Sequence, residues 1–215
     1  WNCQGIANPG TKSSFRLLTG KYKPEIIGIS EPKINSTKLG HLFSSRGYDL
    51  LGTNRVVSSP DKIWFLVQHK VDSPTIVDVD NQIITCRFME ARKQVFYTMV
   101  YAHNYFVDRR LLWSRIQHLK MMISGEWIIT DDFKAILHAD EKIGSVTHVT
   151  STKDFRECID KTGLIEIKFI GAKFTWYRRN INGPRASRID RAFVNRELIG
   201  DWKSLSCVNL SKINS

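Results

Sequence analysis

The chain has 215 residues, 42% of them hydrophobic and 25% charged, which excludes a disordered or fibrous protein and suits one sizeable domain. No stretch approaches the roughly 20 apolar residues of a membrane-spanning helix, so we expect no membrane partner. The net charge of +11 favours a polyanionic partner, of which nucleic acid is the commonest, and the alternative is a soluble protein that is merely basic.

Short apolar runs rich in β-branched and aromatic residues predict strands, and apolar residues three and four positions apart predict helices. The predicted strands are 25–30, 62–68, 74–79, 82–89, 94–101 and 126–130, with two similar segments at 173–177 and 187–194. The predicted helices are 12–21, 37–46 and 108–124, and a fourth that begins after Ser151 or Thr152.

Consecutive strands fill the middle of the chain, whereas helices and strands alternate on both sides of it. Strict βαβ alternation is therefore absent, which argues against a doubly wound fold. We predict an α/β protein whose single domain spans residues 1–215. Its architecture is a four-layer α/β sandwich, with two packed mixed or antiparallel sheets flanked by helices.

The four cysteines lie far apart without the paired spacing of a zinc site or a disulfide framework. This pattern favours the reducing interior of a cell. No charged and apolar leader precedes Trp1, and we expect the chain to be a fragment, so no targeting signal is visible.

Acidic side chains follow the predicted strands at several points where a crevice is expected. Glu31 follows EIIGIS, Asp131 and Asp132 follow EWIIT, Asp190 lies within SRIDRAFV, and Asn2 lies in WNCQG. Carboxylates and an amide without zinc spacing are typical ligands of a hard cation, here Mg²⁺ or Mn²⁺. Taken singly, each could instead be a turn residue, and Asp190 could pair with its neighbours Arg188 and Arg191.

Taken in order, these segments form a more specific pattern. WNCQG is followed by SEPK, a VYA strand end, WIITDDF, GAKFTW and SRIDRAFVN. The pattern resembles the endonuclease/exonuclease/phosphatase superfamily over essentially the whole chain. More narrowly, it is similar to the apurinic-endonuclease-like domain at the N-terminus of plant non-LTR (LINE-type) retrotransposon polyproteins.

The resemblance implies a role for each matching position. Asn2 matches an Asn that contacts the metal and the scissile phosphate, and Glu31 matches the principal Mg²⁺ ligand. Tyr101 matches a Tyr that hydrogen-bonds the phosphate or supports the attacking water. Asp132 matches the Asp that orients or deprotonates the water, and Asp190 matches an Asp that positions a catalytic His. Hydrolysis needs these kinds of group: a cation on the phosphoryl oxygens and a base for the water.

The chain departs from the family pattern in three places. The family's G-D-F-N reads Asp131-Asp132-Phe133-Lys134, so Lys134 replaces a neutral amide with a flexible charge that could pair with a phosphate. Asp131 adds a Cβ where a tight turn favours glycine. The family's closing Ser-Asp-His is expected at and after Ser215, and His103 is the only histidine worth testing as a substitute. We therefore expect impaired cleavage.

A basic and aromatic segment near the end of the chain predicts contact with nucleic acid. Residues 171–215 contain nine basic and three acidic residues. Their net charge of +6 is more than half of the +11 of the whole chain. Within it, Trp176 is followed by Tyr177, Arg178 and Arg179, the combination that nucleic-acid-binding edges use. Arg188 is a further candidate contact. The alternative is that Trp176 is a core residue and the arginines are simply solvated.

The sequence thus predicts a Mg²⁺-dependent endonuclease domain that nicks DNA for retrotransposition, impaired in this fragment. A decayed domain that binds nucleic acid without cutting it is the alternative. We expect DNA as partner, with the reverse transcriptase portion of the same polyprotein as a further one. We also expect a monomer that works in the nucleus.

Overall fold

The computed structural model describes residues 1–38, 40–55, 61–181, 183–202 and 204–210. The chain divides into two compact units, Trp1–Tyr101 and Ala102–Ser211. The expected single domain stays a prediction, and each unit is described by itself. In the part of the chain that is described, no helix has the length and hydropathy needed to cross a membrane.

The first unit combines two helices with two antiparallel sheets. Its elements are α1 (Pro9–Tyr22), β1 (Ile26–Ser30), α2 (Gly40–Ser44), β2 (Tyr48–Thr53), β3 (Ile63–Gln68), β4 (Asp72–Val79), β5 (Ile83–Glu90) and β6 (Lys93–Tyr101). One sheet has the order β1-β3-β2, and the second runs β4-β5-β6. A short 3₁₀ turn at Ser36–Lys38 precedes α2, so the predicted helix 37–46 is shorter than expected.

An aromatic cluster under the β1-β3-β2 sheet forms the core of this unit. Phe15 of α1 packs edge-on against Phe43 and Tyr48, and Phe43 packs against Trp64. Asn8 starts α1 because its side chain accepts the N–H of Gly10 at 3.0 Å. This packing fixes the carboxyl end of β1, where Glu31 lies.

Within the described residues, the second unit contains three α-helices and eight strands. Its elements are α3 (Arg109–Met122), β7 (Glu126–Asp132), β8 (Lys142–Ile143), α4 (Val149–Thr162), β9 (Ile165–Glu166), β10 (Phe169–Gly171), β11 (Trp176–Asn180), β12 (Gly183–Ser187), β13 (Asp190–Val194), α5 (Arg196–Asp201) and β14 (Cys207–Asn209). Strands pair as β7-β13-β9 and β11-β12-β8, both antiparallel, and as the parallel pair β10-β14.

Stacked rings anchor the second unit beside its acidic strand end. Phe133, which directly follows β7, stacks on Phe155 of α4 and meets Phe193 of β13 edge-on, and Trp113 of α3 stacks on Phe155. All four side chains are buried. Because Phe133 is fixed in this core, Asp132 before it and Lys134 after it have a defined backbone.

The predicted mixed α/β class is confirmed, and several boundaries are corrected. Helix α4 begins at Val149, earlier than expected. The segment predicted as a strand at 187–194 separates into the end of β12 and all of β13. The strand predicted at 173–177 begins only at Trp176, and Lys173 before it pairs with Asp140 at 2.8 Å.

Candidate active site

In the first unit, Glu31 lies directly after β1, as predicted from the sequence. Its backbone has φ 53°, in the left-handed region, and its N–H donates to the carbonyl of Lys62 at 3.0 Å. Few non-glycine residues adopt this conformation, and such strained positions cluster at functional sites. The turn leaves the Glu31 side chain about one quarter exposed, at 26%.

Three side chains converge on the Glu31 carboxylate, two of them from distant parts of the first unit. The Asn2 amide and the Tyr101 hydroxyl donate to Oε1 at 3.1 Å and 2.8 Å. The Lys33 ammonium lies 3.7 Å from Oε2. Asn2 is held in place by a parallel bridge to Ser30. The structure thus brings together Asn2, Glu31 and Tyr101, three residues that the sequence analysis selected separately.

The donor atoms around Glu31 fit a hard divalent cation with a partial water shell. The Glu31 carboxylate is the kind of oxygen ligand that Mg²⁺ takes, and Mg²⁺ commonly keeps several waters. The Asn2 amide nitrogen faces this carboxylate while its oxygen accepts the Gln4 N–H at 3.3 Å, so Asn2 would have to turn its amide group to offer the oxygen to a cation. Within the described residues, no three His, Cys, Asp or Glu side chains converge as a metal site. A single carboxylate with waters is a donor set typical of Mg²⁺ or Mn²⁺, whereas a closed zinc site takes four protein ligands.

In the second unit, two acidic residues face each other across paired strands. Asp132 ends β7 and Asp190 begins β13, and the two are direct partners in the antiparallel register. Residues directly opposite in such a pair share one face with Cβ atoms about 5 Å apart. Asp132 therefore belongs to the strand itself, which ends two residues further along the chain than the sequence predicted.

The proximity of buried acids changes their ionisation. Burial, and then the charge of Asp190, raise the pKa of Asp132 to about 8, while Lys134 opposes the rise. Burial and the charge of Asp131 also raise the pKa of Asp190, against a hydrogen bond from Thr175. Like charges in a dry site disfavour double ionisation. This pair can therefore hold and release a proton near neutral pH.

Lys134 contacts the Asp132 carboxylate through both its backbone N–H and its side-chain ammonium. Its backbone N–H donates to Oδ1 at 3.1 Å, and its ammonium lies 4.0 Å from Oδ2 with the side chain only 15% exposed. The backbone turns here, with φ 95° at Asp131 and 49° at Lys134. The expectation that the Asp131 position favours glycine agrees with this positive φ.

Thr175 is a site residue whose role the sequence analysis missed. Its hydroxyl oxygen accepts the N–H groups of Ile189 and Asp190 at 3.1 Å and 3.0 Å, and its hydroxyl also hydrogen-bonds the Asp190 carboxyl. Thr175 therefore fixes both the entry of β13 and the Asp190 side chain. Its place in the segment KFTW was the only sequence signal.

The arginines beside Asp190 do not pair with it, which corrects one prediction. Arg188 lies 2.6 Å from Glu166 and 3.3 Å from Glu141, and Arg191 pairs with Glu166 at 2.7 Å and also with Glu141. Glu141 additionally accepts the backbone N–H of Leu137 at 2.7 Å. The buried Glu141 and the partly exposed Glu166 thus balance the charges of the two arginines, and Asp190 is hydrogen-bonded by Thr175 instead.

This network also corrects the prediction that Arg188 contacts nucleic acid. The Arg188 side chain is 12% exposed and its guanidinium lies 4.0 Å from the centre of the Phe169 ring. In contrast, Trp176, Tyr177, Arg178 and Arg179 all lie exposed on β11. His103, the histidine chosen for testing, lies 3.4 Å from Asp108. Ser215 and the element expected after it lie outside the described residues.

The fold and these acidic strand ends define a class: the chain has a DNase I-like, mixed α/β fold. No protein-family model and no curated protein matches it. Among solved structures, it is similar to the endonuclease domain of TRAS1, a telomere-specific non-LTR retrotransposon, with TM-score 0.68 and 13% identity over 93% of this chain and 85% of that one.

Two further solved structures share the fold. An AP endonuclease from Archaeoglobus fulgidus superposes with TM-score 0.69 at 12% identity, over 90% of this chain and 84% of that one. D. rerio TDP2 complexed with a single-strand DNA product gives TM-score 0.62 at 11% identity, over 91% and 81%. At these identities the likeness is one of fold.

Proposed function

We propose that the chain is a divalent-metal-dependent endonuclease domain that hydrolyses phosphodiester bonds of DNA. One observation carries the proposal: Asn2 and Tyr101 both hydrogen-bond the one oxygen of Glu31, although the three residues lie far apart in the sequence. The solved structures with this fold include an AP endonuclease and a retrotransposon endonuclease domain, which supports a nuclease function.

Each side chain has a role that its chemistry suits. Glu31 and Asn2 would hold the cation through a carboxylate and an amide oxygen. When bound there, Mg²⁺ would supply the positive charge that neutralises the phosphoryl oxygens. Tyr101 orients the Glu31 carboxylate through its hydroxyl, 2.8 Å from Oε1.

Asp132 is the proposed base for the attacking water. As the water oxygen bonds to phosphorus and the bond to the leaving oxygen breaks, Asp132 takes the water proton and solvent protonates the leaving oxygen. A pKa of about 8 suits this role, because a base with a pKa near the working pH exchanges protons readily. Asp190, held by Thr175, maintains that pKa through its charge.

The test is nicking of supercoiled plasmid with Mg²⁺ and with EDTA. The wild-type chain should convert plasmid to the open circle only with the divalent cation, and Glu31→Gln should lower the rate at least about 100-fold. Glu25→Gln is the matched control, because Glu25 lies just before β1 and pairs with Lys70 at the surface. A wild-type rate that EDTA leaves unchanged would contradict the proposal.

A second candidate function is a decayed domain that binds nucleic acid without cutting it. Lys134 favours it, because its ammonium stands beside the proposed base with little solvent around it. Lys134→Asn should raise Mg²⁺-dependent nicking if only this substitution weakens catalysis. Binding of labelled duplex in EDTA, with no nicking by either protein in Mg²⁺, would instead support the decayed domain.

The biological setting is part of the same proposal. We infer a plant LINE-type element whose polyprotein also carries a reverse transcriptase, with DNA nicking in the nucleus by a monomeric domain. The likeness to a non-LTR retrotransposon endonuclease domain supports the retrotransposon part of this setting.

A further inference from the structure

The Glu31 carboxylate has a donor or a cation at both of its oxygens, so a metal ion competes with at least one of them. Asn2 and Tyr101 donate to Oε1 at 3.1 Å and 2.8 Å, and the Lys33 ammonium lies 3.7 Å from Oε2. A divalent cation such as Mg²⁺ binds a carboxylate oxygen directly. Its access to Glu31 therefore depends on which of these three groups can move away.

Asn2 and Tyr101 are fixed beside Glu31 by their own backbone. Asn2 forms a parallel bridge with Ser30. Tyr101 ends β6, and its N–H donates to the carbonyl of Gln82 at 2.8 Å. Both side chains are half-buried, and each is short or rigid. They therefore stay beside the carboxylate unless the backbone itself moves.

Lys33 is held at the same carboxylate much more loosely. Its ammonium, at 3.7 Å from Oε2, lies beyond the usual length of a hydrogen bond, and the side chain is 59% exposed. Such an exposed ion pair is weak, because water screens the attraction and the long side chain loses freedom when it is held. Lys33 is therefore the group that a cation displaces most readily.

The backbone nonetheless keeps the Lys33 side chain close to Glu31. Both residues have a left-handed backbone, with φ 53° at Glu31 and 58° at Lys33, and the carbonyl of the intervening Pro32 accepts the N–H of Ile6 at 3.1 Å. The Lys33 side chain runs past Gly5, where an added Cβ would lie 3.8 Å from its Cδ. The ammonium is thus tethered at a high effective concentration, unlike an ion from solution.

We propose that Lys33 is a built-in competitor of the divalent cation at Glu31, and that its ammonium sets the cation concentration at which the site fills. A divalent ion carries twice the charge of the ammonium, so it is attracted more strongly by the carboxylate and replaces it. A monovalent ion gains nothing by replacing a cation that is already tethered there. Lys33 therefore favours divalent over monovalent cations. The inference rests on the proposed function for the position of the cation at Glu31.

The experiment measures the affinity of the whole chain for Mn²⁺ without DNA, by electron paramagnetic resonance of the free ion. Lys33→Met keeps an unbranched apolar side chain and removes its charge. It should bind Mn²⁺ about 3- to 5-fold more tightly than the wild type, because the exposed ion pair no longer competes. Lys33→Arg keeps the charge, and a guanidinium can pair with both carboxylate oxygens, so it should bind Mn²⁺ as the wild type does or more weakly.

Lys38→Met is the matched control, because Lys38 is an exposed lysine of the nearby 3₁₀ turn and the substitution makes the same change in net charge. It should leave the Mn²⁺ affinity unchanged, since salt screens exposed charges that lie apart. An equal gain in Lys38→Met and Lys33→Met would overturn the proposal, because net charge would then be the cause. So would Lys33→Met with wild-type affinity, or Lys33→Arg with tighter binding.

Thermal unfolding gives a second readout and shows whether each variant folds. In EDTA, Lys33→Met should melt at or slightly below the temperature of the wild type, because Glu31 loses only an exposed partner. A ligand that binds the folded chain raises its melting temperature, and tighter binding raises it further. The same Mn²⁺ concentration should therefore raise the melting temperature more for Lys33→Met than for the wild type or Lys38→Met. Equal rises would contradict the competitor role.

Failure of this inference and failure of the proposed function give different results. If the wild type binds Mn²⁺ through Glu31 and nicks plasmid while Lys33→Met binds no more tightly, only the competitor role is refuted. If Lys33→Met binds more tightly but the wild type does not nick plasmid in Mg²⁺, only the proposed function is refuted. If neither the wild type nor Lys33→Met binds Mn²⁺, both are refuted.

Discussion

Glu31 in the first unit and Asp132 in the second are both carboxylates at strand ends, but their surroundings are opposite. Glu31 is approached by the donors of Asn2, Tyr101 and Lys33 and stays partly exposed. Asp132 is buried opposite a second acid, Asp190, with Asp131 also near. Donors and solvent favour the charged form of an acid, whereas burial beside another acid favours the neutral form.

The same residue type therefore serves two tasks in the two units. A carboxylate held by hydrogen-bond donors in partial contact with water is ready to bind a cation. A carboxyl group whose pKa is raised to about 8 by burial and a like charge is ready to exchange a proton.

Removing the charge of Glu141 from its network with Arg188 and Arg191 should have the largest effect on the free energy of unfolding. Glu141→Gln leaves Arg188 and Arg191 short of a buried anion, so the free energy of unfolding should fall by about 3–5 kcal/mol. Urea unfolding followed by Trp fluorescence measures it. Glu157→Gln, which disturbs only the exposed pairs with Lys153 and Lys161, should cost less than about 1 kcal/mol. Equal losses would show that the network is not the anchor of β13.

The raised pKa of Asp132 predicts a pH-dependent stability. Below about pH 4 both folded and unfolded chains hold the proton. Between that pH and about 8 only the folded chain holds it, so the contribution of Asp132 to stability falls as pH rises and is most unfavourable above 8. Asp132→Asn should therefore raise the free energy of unfolding by on the order of 3 kcal/mol near pH 9 in EDTA.

Near pH 4 and below, Asp132→Asn should change the free energy of unfolding little, because the Asp132 carboxyl is then largely protonated in both the folded and the unfolded chain. Chemical denaturation at several pH values gives the two curves. A gain that does not grow between pH 4 and pH 9 would contradict the buried acid pair.

Removing one donor from Glu31 should have a smaller effect. Tyr101→Phe deletes the hydroxyl that donates to Oε1, and a hydrogen bond to a charged group contributes about 1.5–3 kcal/mol. Urea unfolding should show a loss of free energy near the lower end of this range, because Glu31 keeps its contacts with solvent, Asn2 and Lys33. Tyr22→Phe, at an exposed position on α1, should change stability by no more than a few tenths of a kcal/mol. A comparable loss in both variants would contradict the donor role of Tyr101.

The smallest effect expected is a gain. Asp131→Gly removes a Cβ at φ 95° and one negative charge beside Asp132 and Asp190. Relief of backbone strain should add about 1 kcal/mol to the free energy of unfolding. Asp131→Ala is the control, because it removes the charge and keeps the Cβ. If alanine stabilises as much as glycine, then charge and not strain is the cause.

The longer elements could be predicted from local sequence patterns, because their buried residues are close together in the sequence and apolar. The apolar run Ile63–Gln68 is buried almost throughout, and it was found from sequence. Strand β2 was missed because its residues are half-exposed and carry no clear alternation. The strands of two or three residues, β8, β9, β10 and β14, are defined by pairing with distant segments, which no local pattern shows.

The candidate site divides in the same way. Asn2, Glu31, Tyr101, Asp132 and Asp190 could be selected because each stands in a recognisable motif. The partners of Arg188 and Arg191 could not, since Glu141 lies 47 and 50 residues away along the chain. Their proximity in the sequence suggested Asp190 as the partner of both arginines instead.

The most direct test of the central claim is binding of Mn²⁺ to the protein without DNA, measured by electron paramagnetic resonance of the free ion. The wild-type chain should bind one ion at millimolar concentration or tighter, and Glu31→Gln should abolish that binding, because it removes the only full negative charge expected among the ligands. Glu25→Gln should bind as the wild type does. Unchanged Mn²⁺ binding by Glu31→Gln would contradict the account.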